Sequence, residues 1–164
     1  MALGDVKVYD EGAFGYPGDI KFGIAASATL LNAGEPVLKA LGNSTGNVVS
    51  PLATSSPVVG TTYMAGIAAT TSTNTAGAAG TVSVMKMLPG QTYLCAPAAP
   101  TSWDTQAEYD ALVGARVLFQ LSAGVYTILA SDGSTNGLVV EPLDIVKYPG
   151  MVRFSIRDGA SYLA

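Results

Sequence analysis

Apolar residues alternate with polar ones over short spans along this chain, and Gly, Pro, Asn and Ser separate the spans. Ile20, Phe22 and Ile24 alternate with Lys21 and Gly23, and Val152, Phe154 and Ile156 alternate with Arg153, Ser155 and Arg157. A period of two sends successive side chains to opposite faces of a strand, so both runs predict strands with one face turned inward and one face wet. Val6 and Val8 against Asp5, Lys7 and Tyr9 show the same alternation. EPVLKAL, NVVSPLA, TTYMAGIAAT, TVSVMKML, QTYLCA, RVLFQL, VYTILA and LVVE read as further short strands, with Pro36 and Pro51 at strand starts or edges.

Turn chemistry predicts some of the connections. Leu88-Pro89-Gly90-Gln91 suits a type II turn, because Pro presets φ and Gly accepts a positive φ at the next position. It predicts a hairpin of TVSVMKML with QTYLCA. Tyr148-Pro149-Gly150-Met151 repeats the device before MVRFSIR, and a second hairpin is expected about Ser122-Ala123-Gly124. STNTAGAAG is a loop that is either a flexible tip or a packed one. One segment departs from period two. Thr105 and Glu108 form a capping box, and Gly114 stands where a left-handed residue ends a helix, which predicts a helix over about 105–113 with Leu112 and Val113 toward the sheet. The fold expected is all-β: a small β-barrel or sandwich with one short helix and an extended N-terminal arm, residues 1–18 forming the arm and 19–164 the barrel domain.

Charge changes the picture. Only 12% of the residues are charged, against about a quarter in an ordinary globular chain. From Ala40 to Val84 there is no charged residue at all. The net charge of −4 offers no basic field for a phosphate backbone, so nucleic acid is not an expected partner. No apolar run reaches the roughly 18 residues of a membrane-spanning helix, and the start lacks the pattern of a signal peptide.

The candidate chemistry is sparse. The chain has no His, which removes the commonest general base and most zinc sites. Cys95 is the single cysteine and reads as a small core residue. Asp104, Glu108 and Asp110 read as the solvated first turn of the helix rather than a catalytic pair. Asp132-Gly-Ser134-Thr-Asn136-Gly137 follows the first half of a calcium loop but has Leu143 where the closing Glu belongs, and it reads equally as a hairpin turn between VYTILA and LVVE. Asn43-Ser44-Thr45 is a glycosylation sequon without a secretion signal. No catalytic residue, metal or cofactor is expected, and the chain reads as a protein whose task is its surface.

A neutral Ala, Thr, Ser and Val surface avoids the desolvation cost of burying charge against another protein. GIAATTSTNTAGAAGTVSVMKMLPGQTYLCAP and LDIVKYPGMVRFSIRD resemble the head decoration (capsid cement) proteins of tailed bacteriophages, over residues 60–158. The resemblance implies a small, frequently trimeric β-barrel on the outside of the capsid, made in the host cytoplasm. It would sit on the major capsid protein and resist internal DNA pressure, with an N-terminal arm on the lattice and no catalysis. Ala69, Thr71 and Ala78 are the expected docking positions in the neutral stretch. Tyr9, Phe14 and Tyr16 in the arm are expected to pack on a neighbouring subunit or in the chain's own core. Another virion module (tail or fibre), a carbohydrate-binding β-sandwich and a small trimeric nucleotide hydrolase are the rival readings, and Trp103 is expected to be a core anchor.

Overall fold

The computed structural model describes residues 7–10, 19–26, 28–40, 48–52, 57–58, 61–130, 136–158 and 160, with the backbone alone for 7–10, 19 and 40. Its strands are β1 (Lys7–Asp10), β2 (Asp19–Ile24), β3 (Pro36–Ala40), β4 (Val48–Pro51), β5 (Thr62–Ala68), β6 (Gly80–Lys86), β7 (Thr92–Cys95), β8 (Arg116–Ser122), β9 (Val125–Ala130), β10 (Leu138–Val140) and β11 (Val152–Ile156), with a single α-helix, α1 (Gln106–Leu112). The molecule is mostly β, as its alternation predicts. Two sheets share the strands. β2-β4-β3-β5-β6 closes into a barrel, and β1-β7-β11-β10-β8-β9 forms a second, wholly antiparallel sheet. Lys7–Asp10, within the N-terminal segment, is thus an edge strand of that sheet.

The barrel is filled from alternating positions. Phe22 and Ile24 of β2, Val37 of β3, Val49 of β4 and Val82 and Val84 of β6 meet inside it, with Leu31 from the β2–β3 connection. Its β2–β4 pair is parallel, and its other described pairs are antiparallel. The second sheet carries the larger core, in which Tyr93, Phe119, Phe154 and Ile128 lie entirely out of solvent. Phe119 meets Phe154 edge-on at 5.5 Å, a favourable arrangement for aromatic quadrupoles.

β5 joins the two cores, and a bulge lets it do so. Val37 pairs with Gly66 while Leu38 pairs with Met64, which leaves Ala65 as an extra residue. The insertion breaks the alternation. Ala65 and Ala68 therefore face the barrel interior, while Met64 and Ile67 face the second sheet. Gly66 carries φ +150, and a Cβ there would lie 2.0 Å from the Met85 carbonyl oxygen. Only glycine fits this point.

Two expected connections differ from the structure. The Pro89-Gly90 turn forms, with Gly90 at φ +82 and the Gln91 N–H donating to Leu88 O at 3.2 Å. It does not close a hairpin. β6 pairs with β2 and β5, and β7 pairs with β1 and β11, so the turn carries the chain from one sheet to the other. A turn constrains four residues, whereas pairing partners are chosen by the burial of whole strands. All four β7 residues are buried, and that requires neighbours on both edges. Likewise β9 and β10 do not form a hairpin about residues 132–137, because β8 lies between them. Residues 131–135 themselves lie outside the described residues. The Ser122–Val125 hairpin forms as expected, with Ala123 and Gly124 both at positive φ.

The β9 edge of the sheet is partly covered. Past β7, the chain at Ala96–Ala98 reaches β9: Ile128 N–H donates to Ala96 O at 2.8 Å and Ala98 N–H to Ile128 O at 2.7 Å. The Ile128 backbone groups on the β9 edge are thereby satisfied.

Helix α1 begins with the expected capping box. Glu108 N–H donates to Thr105 Oγ1 at 3.3 Å and Thr105 N–H returns to Glu108 Oε2 at 3.2 Å. It ends at Leu112, before Gly114 at φ +84. Its buried residue is Tyr109 rather than Val113, which stays 38% exposed. The Tyr109 hydroxyl donates to Glu141 O and accepts from Arg153 N–H, both at 2.9 Å. The outward face of β11 is accordingly half-buried and not fully wet: Arg153, Ser155 and Arg157 are each partly covered.

Two predictions follow from this packing. Gly66→Ala is expected to destabilise the protein by roughly 2–4 kcal/mol through forced displacement of the β5–β6 ladder, read as a lower denaturation midpoint. Burial raises Tyr109 and Tyr126 to about 12 and moves Tyr93 up further. A phenol held neutral in the fold but free to ionise at about 10 when unfolded contributes stability below pH 10 that is lost as pH rises toward the folded value. Alkaline titration followed by phenolate absorbance should show these tyrosines ionising together with unfolding. Smooth titration of all eight tyrosines in a still-folded protein would contradict this.

Candidate docking surface

The neutral stretch contributes β4, β5, β6 and the tongue that links β5 to β6, residues 69–79. The structure decides between the two readings of that loop. Its base is packed and its tip is exposed. Ser72 and Asn74 are both 5% exposed, two of four buried polar residues among those described. Ser72 N–H donates to Leu31 O at 2.9 Å, and Leu31 N–H donates back to Ser72 Oγ at 2.9 Å. The Ser72 hydroxyl donates to Asn74 Oδ1 at 2.7 Å, and Asn74 Nδ2 donates to Ala28 O at 2.8 Å. Every bond is made inside the protein, so these buried polar groups are compensated and tie the base of the tongue to the β2–β3 connection.

Backbone pairing extends this anchor. Ala69 N–H donates to Ser83 O at 2.7 Å and Thr73 N–H to Thr81 O at 3.1 Å. Gly80 makes the close approach possible, since a Cβ there would stand 2.1 Å from the Asn74 nitrogen. Beyond the anchor, Thr75 and Ala78 exchange backbone hydrogen bonds at the tip.

Ala69, Thr71 and Ala78 are all exposed on this one tongue. The side chain of Tyr9 and residues Phe14 and Tyr16 lie outside the described residues. Ser72 and Asn74, which hold the surface in place, have no distinguishing mark in a run of Ser, Thr and Asn. Only their distance from Ala28 and Leu31 in the fold separates them from their exposed neighbours.

The groups screened for chemistry occupy structural positions. Cys95 is fully buried in β7, its thiol directed at Tyr126 O at 3.5 Å. Trp103 is 5% exposed and meets Tyr109 edge-on at 5.9 Å, so it is a core anchor. Glu108 is held below the usual carboxylate range by the Thr105 hydroxyl and by Asp104, and the hydrogen bond to Glu108 raises Asp104. Both carboxyls are fully exposed at the helix start. Asp110 accepts from Gln106 Nε2 at 2.7 Å. Among the described residues no three His, Cys, Asp or Glu side chains gather to hold a metal ion, and no helix is long and apolar enough to cross a membrane.

Replacing Asn74 by Ala should cost about 1–3 kcal/mol, because the Ser72 hydroxyl and the Ala28 carbonyl lose a buried partner. Hydrogen exchange at the Leu31 and Ser72 amides should rise in that variant, while exchange at Tyr93 and Phe154 in the second sheet changes less. Comparison with protein-family models, curated proteins and solved structures finds no match for this chain.

Proposed function

We propose that this protein is a structural virion component, a decoration protein that binds the outside of a tailed-bacteriophage head and stabilises its lattice. The observation that carries the reading is the tongue: eleven consecutive residues, 69–79, without a charge, exposed at the tip and tied at the base by buried hydrogen bonds. A surface without charge meets another protein without stranding an ion. A surface already ordered loses little conformational entropy on docking. The sequence resemblance to capsid cement proteins points to the same class, with the major capsid protein as partner and a homo-trimer as the working form. No catalysis, nucleic-acid contact or membrane contact belongs to this reading.

A sugar-binding role has less support. The lone indole, Trp103, is buried among core residues and offers no stacking platform. A tail or fibre module would use the same neutral surface, and the test separates it by partner.

The test is co-sedimentation of purified protein with capsids, tails and fibres from the same virion, followed by electron microscopy of the decorated particle. Ala69→Lys, Thr71→Lys and Ala78→Lys are expected to abolish capsid binding, since each buries an uncompensated ammonium at a cost of several kcal/mol. Their melting should stay close to wild type, because exposed substitutions usually change stability by about 0.5 kcal/mol or less. Normal capsid binding by all three lysine variants would show that the tongue faces water.

A further inference from the structure

Four large apolar side chains are exposed among the described residues: Leu30, Val113, Leu121 and Val146. Two of them, Leu30 and Leu121, line one cleft of about 380 Å³ between the β2–β3 connection and the tip of the β8–β9 hairpin. Pro51, Leu52 and the ring of Tyr126 complete its apolar wall. Glu35 stands in the same lining, with no Lys or Arg beside it there. The cleft is rigid on both sides. Glu35 accepts Asn32 N–H and Asn32 Nδ2 at 3.0 Å each, the Tyr126 hydroxyl donates to Leu52 O, and Leu31, next to Leu30, is pinned by Ser72.

Val146 is the complementary feature. It is 87% exposed, the most exposed of the four, and Lys147 follows it. The turn presenting it is fixed: Asp144 Oδ1 accepts from Val146 N–H at 3.0 Å and from Lys147 N–H at 3.3 Å. Gln106 Oε1 holds Ile145 N–H at 3.2 Å, and Ile145 packs on the core. Lys147 Nζ lies 5.4 Å from the Tyr148 ring centroid, which keeps the ammonium beside the knob. A solitary valine held into water by a rigid turn gains nothing for the isolated chain.

Knob and cleft lie at opposite ends of the second sheet. The 144–148 turn follows β10, whose Val139 pairs with Arg116 at the start of β8, and the cleft takes Leu121 from the end of β8. Seven strand residues separate the ends by roughly 20 Å. One molecule cannot fill its own cleft. We propose that the occupant is a second copy of this chain: Val146 of one protomer enters the Leu30–Leu121 cleft of the next, and Lys147 pairs with Glu35 at its rim. The contact is head-to-tail, and such contacts build closed rings when the rotation between protomers closes. This gives the homo-oligomer in the proposed function a specific interface. It is tested without a capsid, so its failure and that of lattice docking are read separately.

Sedimentation velocity over a micromolar concentration series is the experiment. Wild type should associate, and Val146→Asp and Leu121→Asp should each weaken self-association by roughly thirtyfold or more, the size of a lost interface hot spot. Lys147→Glu, which leaves the apolar contact in place, should weaken it less, and more so at low salt. Both aspartate positions are exposed, and unchanged melting would confirm that the fold is intact. The decisive sample is the equimolar mixture of Val146→Asp and Leu121→Asp. One variant retains the cleft and the other the knob, so the mixture should form a heterodimer that neither forms alone. A monomeric wild type, a Val146→Asp variant that associates as tightly as wild type, or a mixture that associates no more than either variant alone would overturn the proposal.

Discussion

The fold depends on one strand that is buried on both faces. β5 closes the barrel on one side and floors the core of the second sheet on the other, and a regular strand cannot feed both with the residues present here. With strict alternation, Met64, Gly66 and Ala68 would share one face and Ala65 and Ile67 the other. The bulge at Ala65–Gly66 regroups them, small residues into the narrow barrel and large ones toward the sheet. Alanines suit a five-stranded barrel already occupied by Phe22 and Leu31, while Met64 and Ile67 reach Tyr93 and its neighbours. Close packing leaves little tolerance for the reverse arrangement.

That shared strand is one of several links between barrel and sheet. Met64 N–H donates to Ala160 O at 2.8 Å, Gly137 N–H to Pro57 O at 2.7 Å, and Val58 bridges Asn136, so the two sheets are joined by backbone as well as by side chains. Gly137 permits this closeness, since a Cβ would stand 2.4 Å from that of Ala160. These links bear on the surface features. The tongue, the cleft and the Val146 turn are all mounted on this framework, and each is tied to it by the hydrogen bonds described above. Such surfaces bind by complementarity rather than by folding around a partner.

Electrostatics divides the labour. The neutral tongue can be buried without stranding a charge, whereas Glu35 and Lys147 each stand beside exposed apolar side chains. The low overall charge is unevenly distributed: acids and bases lie outside residues 40–85.

Much of the local structure was legible in the sequence. Alternation located the strands, Thr105 with Glu108 and Gly114 bounded the helix, and Pro89-Gly90 and Ala123-Gly124 marked their turns, because each of these depends on residues within a few positions of one another. Charge pattern also marked residues 40–84 as the stretch free of ions. What the sequence left open was every choice between distant partners. It did not show that β7 leaves β6 for β11, that β8 separates β9 from β10, that Ser72 and Asn74 turn inward while Thr71 and Ala78 turn outward, or that Leu30 and Leu121 meet across a cleft. Those outcomes follow from which arrangement buries two cores at once, and that condition belongs to the whole chain rather than to any short stretch of it.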